Sequence, residues 1–225
     1  AQIVHAAHVE TWRNGKHRAQ WMSTLETYVV PCLGEAPINR IEAGDVLMVM
    51  LPIWTSRPET ARRVLQRLST VFDHATAAGH RSGENPCRIA ALGLPKQSRS
   101  VRHHAALPYS LLPNFIVPLR ASRSAEIVKL AIEFLILTAA RSGEVRGAAA
   151  HEIDWRAGLW TIPADRMKGE REHIVPLSAP ALAIIKRARE LSPDTKLLFP
   201  STRHPDKALS DMALTMVLRR LGTEV

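Results

Sequence analysis

Apolar positions recur at spacings of three and four through most of the first 80 residues. Trp21, Leu25, Tyr28 and Val29 make the first such run, which Pro31 closes. Asp45–Trp54 is apolar throughout apart from Asp45 and Pro52. In Arg57–Ala78 one stripe collects Ala61, Val64, Leu65, Leu68, Val71, Phe72 and Ala75, and Arg62, Arg63 and Arg67 are expected to face away from it. Pro58 suits the first turn of that helix and Gly79 its C-terminal cap. Residues 1–87 therefore read as an all-helical unit.

The periodicity stops in residues 88–106, where Gly, Pro and Ser interrupt every pattern and cations gather, as in a linker between domains. Order returns over 107–225. Residues 109–121 read as a short helix into which Pro113 and Pro118 fit awkwardly. Ser124–Ala140, with Ser124 as N-cap, carries Ile127, Leu130, Ala131, Phe134, Leu135 and Leu137, an apolar surface that belongs in the middle of a domain. Ile153–Trp155, Leu159–Pro163 and His173–Leu177 read as short strands, separated by turn-like Arg156–Gly158 and Lys168–Arg171. Ser178–Leu191 and Ser210–Leu221 are helical again. The expected fold class is mainly α with a small antiparallel β-sheet.

Composition narrows the function classes. The 225 residues are 46% apolar and 23% charged, which excludes a wholly disordered chain and suits one large or two small domains. The net charge is +9, and Arg57–Arg102 alone holds nine Arg or Lys against three acids. That concentration points to a phosphate backbone or another polyanion. Only 11 residues are Phe, Trp or Tyr, too few for base stacking to be the main mode of binding. Cys32 and Cys87 form no CxxC pair and read as free thiols in a reducing cytosol. No apolar run approaches the ~18 residues that cross a bilayer, and no secretory leader is visible, so no membrane partner is expected. The start at Ala1 suggests a piece of something longer.

Two segments carry candidate chemistry. In LTAARSGEVRGA (137–148) an apolar helix ends on Arg141 and turns through Gly143. A guanidinium there needs an anion, because it cannot shed its charge. Its planar fork fits two oxygens of one phosphate, or it pairs with Glu144. In the second segment Lys168 sits at the turn between two strands, a place where most lysines are simply solvated. His103-His104 comes nearest to a metal cluster but has no partner ligands, so no metal and no other cofactor is expected.

Taken together, LTAARSGEVRGA, EIDWRAGLWTIPADRMKGEREHIVPLS (152–178) and the helical residues 2–87 resemble the tyrosine recombinases, and within them the prophage integrases. The resemblance implies a SAM-like helical core-binding domain (1–87), a basic linker (88–106) and the first part of an α+β catalytic domain (107–225). It implies that Arg141 contacts the non-bridging oxygens of a scissile phosphate. Lys168 would reach the cleavage site and protonate the departing 5′-oxygen, and Glu144 would buttress the site. His173, in HxVPLS, is expected to be structural and is not the histidine of the family's His-x-x-Arg box. Double-stranded DNA carrying attachment sites would be the partner, with possible self-association and no small-molecule substrate. The setting would be a bacterial cytoplasm, at the nucleoid. Residues 1–87 and 107–225 would form two lobes of a clamp, with Arg62, Arg63, Arg67, Arg99 and Arg102 on the duplex. The plain alternative for Arg62, Arg63 and Arg67 is an ordinary solvated helix face, including pairs such as Arg62 or Arg63 with Glu59.

The resemblance also shows what the chain does not hold. The second box, His-x-x-Arg, and the nucleophilic tyrosine normally follow the helix that here begins near Leu209. The only tyrosines are Tyr28 and Tyr109, and no His-x-x-Arg follows Lys168. The 225 residues are therefore expected to bind DNA without cleaving it, and to be marginally stable or self-associating. Three readings stand at this point: a recombinase represented without its last active-site segment, a non-catalytic integrase remnant occupying attachment-type sites, and a helical transcription regulator. The last would need a helix-turn-helix, and none is convincing.

Overall fold

The computed structural model describes residues 1–12, 15–97 and 106–222, which fall into two compact units, one formed up to residue 97 and the other from residue 106. The first unit is helical throughout: α1 (Gln2–His8), α2 (Gly15–Tyr28), α3 (Val30–Leu33), α4 (Ala43–Trp54), α5 (Pro58–Ala77) and α6 (Pro86–Gly93). Its core collects Trp21 and Leu25 from α2, Val46, Val49 and Met50 from α4, and Ala61, Val64, Leu68, Val71 and Phe72 from α5. Pro58 opens α5 as the sequence suggests. After its last turn the Gly79 amide bonds to Thr76 O (3.1 Å) and the His80 amide to Ala75 O (2.9 Å). That closure requires the left-handed φ of +73° that Gly79 adopts without steric cost.

Two expectations for this unit are corrected. Arg67 does not face away with Arg62 and Arg63. It is buried (6% exposed) and donates to Gln20 O (2.6 Å) and to Thr24 Oγ1. The reason is helical geometry: Arg67 follows Val64 by three residues and precedes Val71 by four, so it lies on the apolar stripe. Burial, and then the neighbouring Arg63, lower its pKa. Nor do residues 88–93 begin a linker. They complete α6, where Asn85 Oδ1 accepts from the Cys87 amide (2.9 Å) and Cys87 and Ala90 join the core. Burial pushes the Cys87 thiol up to about 12, which makes it an inert packing residue. The polypeptide stays attached beyond α6, since Trp54 Nε1 donates to Pro95 O (2.6 Å) and Gln97 Nε2 to Trp54 O (2.6 Å).

In the second unit α7 (Leu112–Ala121), α8 (Glu126–Thr138), α9 (Ser142–Arg146), α10 (Ala179–Leu191) and α11 (Asp211–Arg220) surround one three-stranded antiparallel sheet. Its strands are β1 (Ile153–Asp154), β2 (Leu159–Ile162) and β3 (His173–Pro176), in that order, with Trp160 opposite both Ile153 and Val175. Asp154 Oδ1 accepts from the Arg156 and Ala157 amides, which closes the β1–β2 turn at Gly158 (φ +66°). Pro113 takes the first turn of α7, and Pro118 is accommodated within it. Ser124 is not the cap of α8. Ala125 occupies that position, and the first-turn acid Glu126 is held instead by Arg187 of α10 (2.8 Å). The one buried acid of α8, Glu133, is gripped by Arg120 Nε (2.8 Å).

Phe134 sits at the centre, fully buried, with its ring 5.2 Å from that of Trp160 and 5.4 Å from that of Phe199. Truncation there removes contacts to a helix, a strand and the segment before α11 together. Phe134→Ala is expected to lower stability by about 3–5 kcal/mol, measured as the shift of the urea midpoint followed by circular dichroism. A loss below about 1 kcal/mol would show that the unit does not depend on this ring cluster.

Candidate functional site

The site begins where α8 stops. Ala139 takes a left-handed conformation (φ +50°), which ends the helix abruptly and which an alanine adopts only at some cost. Two residues on, Arg141 becomes the N-cap of the one-turn helix α9. Glu144, at the third position of that turn, reaches back with Oε2 to the Arg141 amide (2.9 Å) and with Oε1 to Arg141 Nη1 (2.7 Å). The carboxylate side chain is 6% exposed and the Arg141 side chain 66%. Both sequence-level readings of Arg141 therefore meet in one geometry. The pair with Glu144 forms, and the remainder of the guanidinium stays open to solvent, where it can meet an anion.

Burial pushes the Glu144 carboxyl up. The Arg141 amide, the Arg141 guanidinium and the nearby His173 together outweigh it and hold the carboxyl below the usual carboxylate range. His173 is exposed at the start of β3, opposite Ile162, and thus adds an electrostatic effect at Glu144 to its place in the sheet.

The same back-bonding device repeats eight residues along. Glu152 Oε2 accepts from the Ala149 amide (3.2 Å) and from Trp160 Nε1 (2.9 Å), while its Oε1 pairs with Arg166 Nη1. Arg166 Nη2 then donates to Glu144 O (2.6 Å). Arg166 stands in the connection 163–172 between β2 and β3, two residues before Lys168. The expected tight hairpin turn is in fact this longer connection, opened by a 3-10 turn over Ala164–Arg166. Lys168 is exposed on it. Among the described residues no hydrogen bond or ion pair ties the Lys168 side chain to Arg141. What the structure brings together is the turn bearing Arg141 and the connection bearing Lys168, through Arg166 and Glu144.

Arg62 and Arg63 are half-exposed on α5 and both pair with Glu59 at 2.9 Å, as the plain alternative anticipates. Arg99, Arg102, His103 and His104 lie outside the described residues. Much of the basic stretch turns out to be engaged internally. Arg57 donates to the Tyr28 hydroxyl (2.7 Å), Arg81 to the Ile38 and Ile41 carbonyls (2.9 and 2.7 Å), and Arg88 pairs with Asp73 (3.3 Å). Tyr109 stands exposed in the turn before α7. A concavity of about 850 Å³ beside α7, α8 and α10 is lined mainly by apolar side chains such as Ile116, Leu130 and Ile184; it contains neither Arg141 nor Lys168. Among the described residues no group of three His, Cys, Asp or Glu side chains could hold a metal ion, and no helix is long and apolar enough to cross a membrane.

Sequence reasoning did not single out Glu152, Arg166 or Gly147. The one available signal was a second acid, Glu152, eight residues after Glu144 and directly before a strand.

The family model described as "Phage integrase central domain" matches residues 1–91, and that described as "Phage integrase family" matches residues 117–225. The chain belongs to the phage integrase family of tyrosine recombinases. It is 31% identical to the integrase of Enterobacteria phage P4, over 92% of this chain and 49% of that protein. It is 34% identical to the prophage integrase IntZ of Escherichia coli (strain K12), over 96% of this chain and 52% of that one. The chain thus spans about half the length of these curated relatives. Its fold is similar to that of one chain of a lambda integrase tetramer bound to a Holliday junction, with a TM-score of 0.77 at 17% identity over 99% of this chain and 64% of that one. The Tn1549 transposon integrase solved with circular intermediate DNA gives 0.68 at 15% identity, over 99% and 78%.

The lowered pKa of Glu144 has a pH consequence. The stability its ionised form contributes is complete above the ordinary value of 4.5 and is lost as pH falls through the lower folded value. Melting temperature should therefore fall more steeply between about pH 5 and 3 in this phage-integrase chain than in a Glu144→Gln variant. Parallel curves for the two proteins would contradict the assignment.

Proposed function

We propose that this chain is the DNA-binding and phosphate-holding part of a site-specific recombinase that integrates and excises prophage DNA by the tyrosine-recombinase mechanism. The observation that carries the reading is the open guanidinium of Arg141, oriented by a buried carboxylate, beside a connection that carries Lys168 and is tied to the same carboxylate's residue. A phosphodiester under attack gathers charge on its non-bridging oxygens, so a fixed guanidinium stabilises the transition state more than the ground state. Lys168, on its exposed connection, would supply the proton to the departing 5′-oxygen. Glu144 keeps the arginine aimed and takes no proton. Arg62 and Arg63, with Arg99 and Arg102, would meet further backbone phosphates of an attachment-type duplex, the first two exchanging Glu59 for DNA. Arg67, buried between α2 and α5, serves packing in this reading. Self-association on DNA would follow the pattern of lambda integrase, which is seen as a dimer bound to a COC' core site and as a tetramer bound to a Holliday junction.

The tyrosines favour a chain that holds DNA without cutting it. The Tyr28 hydroxyl accepts from Arg57 in the helical unit, and Tyr109 precedes α7 rather than standing on the elements that carry Arg141 and Lys168. The same observation fits the second reading, a non-catalytic remnant occupying attachment-type sites. Fluorescence anisotropy on a duplex across a salt series should show affinity falling steeply with salt, and Arg141→Ala should reduce the slope of log Kd against log salt by about 0.9. Salt-independent binding would overturn the proposal. A suicide substrate should yield no covalent protein–DNA adduct. An adduct abolished by Tyr28→Phe or Tyr109→Phe would overturn the non-cleaving part.

A further inference from the structure

Arg166 does more than neutralise a buried acid. Its side chain is 22% exposed and that of Glu152 is 3% exposed, so one guanidinium nitrogen on the carboxylate would satisfy the charge. The other nitrogen continues to the Glu144 carbonyl, 22 residues away in sequence and inside the turn that Arg141 caps. Glu152 is itself fixed by the Ala149 amide and Trp160, so the guanidinium bridges two rigid points. Lys168, two residues on, lies between this anchor and His173, where β3 begins and Glu144 is again felt electrostatically.

Gly147 reveals that this path is kept clear. Its φ of −95° is one that any residue adopts, so backbone freedom does not explain the glycine. A Cβ at this position would stand 2.8 Å from Arg166 Nη2. What the glycine supplies is room for the guanidinium to reach Glu144 O. A methyl group there displaces only the far end of a flexible side chain and leaves the backbone as it is.

We propose that Arg166, passing over Gly147, is the positioning residue that sets Lys168 against the same DNA phosphate as Arg141. This rests on the phosphate-holding reading above. The alternative is that Arg166 is only the counter-ion of Glu152, in which case losing its second bond would not change what Lys168 contributes.

The test is a double-mutant cycle on duplex binding by the full 225-residue chain, with Lys168→Ala made in the wild-type, Gly147→Ala and Arg166→Lys backgrounds. In the wild type, Lys168→Ala should weaken binding roughly five- to tenfold and lower the salt slope by about 0.9, the signature of one lost phosphate contact. In either altered background the same substitution should cost less than about twofold and leave the slope unchanged. Gly147→Ala keeps both arginine and charge, and Arg166→Lys keeps the charge on Glu152 but cannot span both acceptors. If one variant folds poorly, the other still decides. Hydrogen exchange gives a second readout: amides of residues 164–172 should exchange faster in Gly147→Ala at an unchanged melting temperature. A full Lys168→Ala penalty in both backgrounds, or unaltered exchange of the connection, would overturn the positioning role. If Lys168→Ala costs nothing even in the wild type, the phosphate-holding reading itself fails, and the positioning role with it.

Discussion

A buried carboxylate that grips both the amide and the guanidinium of the residue three positions before it fixes the orientation of Arg141, and the rest of the site is assembled on that turn. Glu144 is removed from water, and desolvation raises its pKa. The Arg141 amide and guanidinium are the main groups that reverse that balance and hold the carboxyl below the usual carboxylate range, and the same bonds keep the arginine aimed. Solvent around the exposed Arg141 side chain screens this ion pair and weakens its contribution to stability. Its value here is geometric: it holds a guanidinium still while leaving most of it wet. Glu152 likewise accepts from the Ala149 amide and pairs with Arg166, and its carboxylate and the Glu144 main-chain carbonyl become the fixed points between which Arg166 holds the β2–β3 connection.

The helical unit shows the other side of the same electrostatics. Its stretch of cations looks like a polyanion-binding face in a residue count, yet several of those side chains are occupied with the protein's own oxygens. Arg67 and Arg81 serve backbone carbonyls, Arg57 serves a tyrosine hydroxyl, and Arg62 and Arg63 share one glutamate. The pairs on the half-exposed face open at little cost, because surface ion pairs are weak. The guanidinium of Arg67 is held more firmly, because it is buried and moving it would break both of its bonds to α2. Net charge therefore overstates the available charge, and burial decides which arginines remain on offer.

Much of the architecture was legible from local rules. The stripe of α5, the proline that opens it, the glycine that closes it, the alternation of β2 and β3 and the apolar run of α8 all depend on residues three or four apart on a helix, or two apart on a strand. Where reading by neighbourhood failed, the reasons were physical. The Gly, Pro and Ser residues after 80 mark breaks in regular structure, and they cannot say whether a short helix between the breaks is packed; Asn85, Cys87 and Ala90 pack α6 into the core. Ser124 is a good cap by type, but the helix begins one residue later, where Glu126 finds Arg187 on a helix 61 positions away.

For the site, the sequence by itself determined which charges exist and which turns carry them: Arg141 at the end of an apolar helix, Glu144 one turn on, and Lys168 between two strands. It also determined that the pattern is that of a phage integrase. Tertiary structure alone decided that Arg166 reaches across to the turn of Arg141 and that Gly147 is empty space rather than flexible backbone. It alone decided that Glu152 anchors a connection rather than ending a strand. These are relations between residues many positions apart, set by how the sheet and α9 pack against each other, and no local spacing encodes the distance between two points that only the folded core brings within 3 Å.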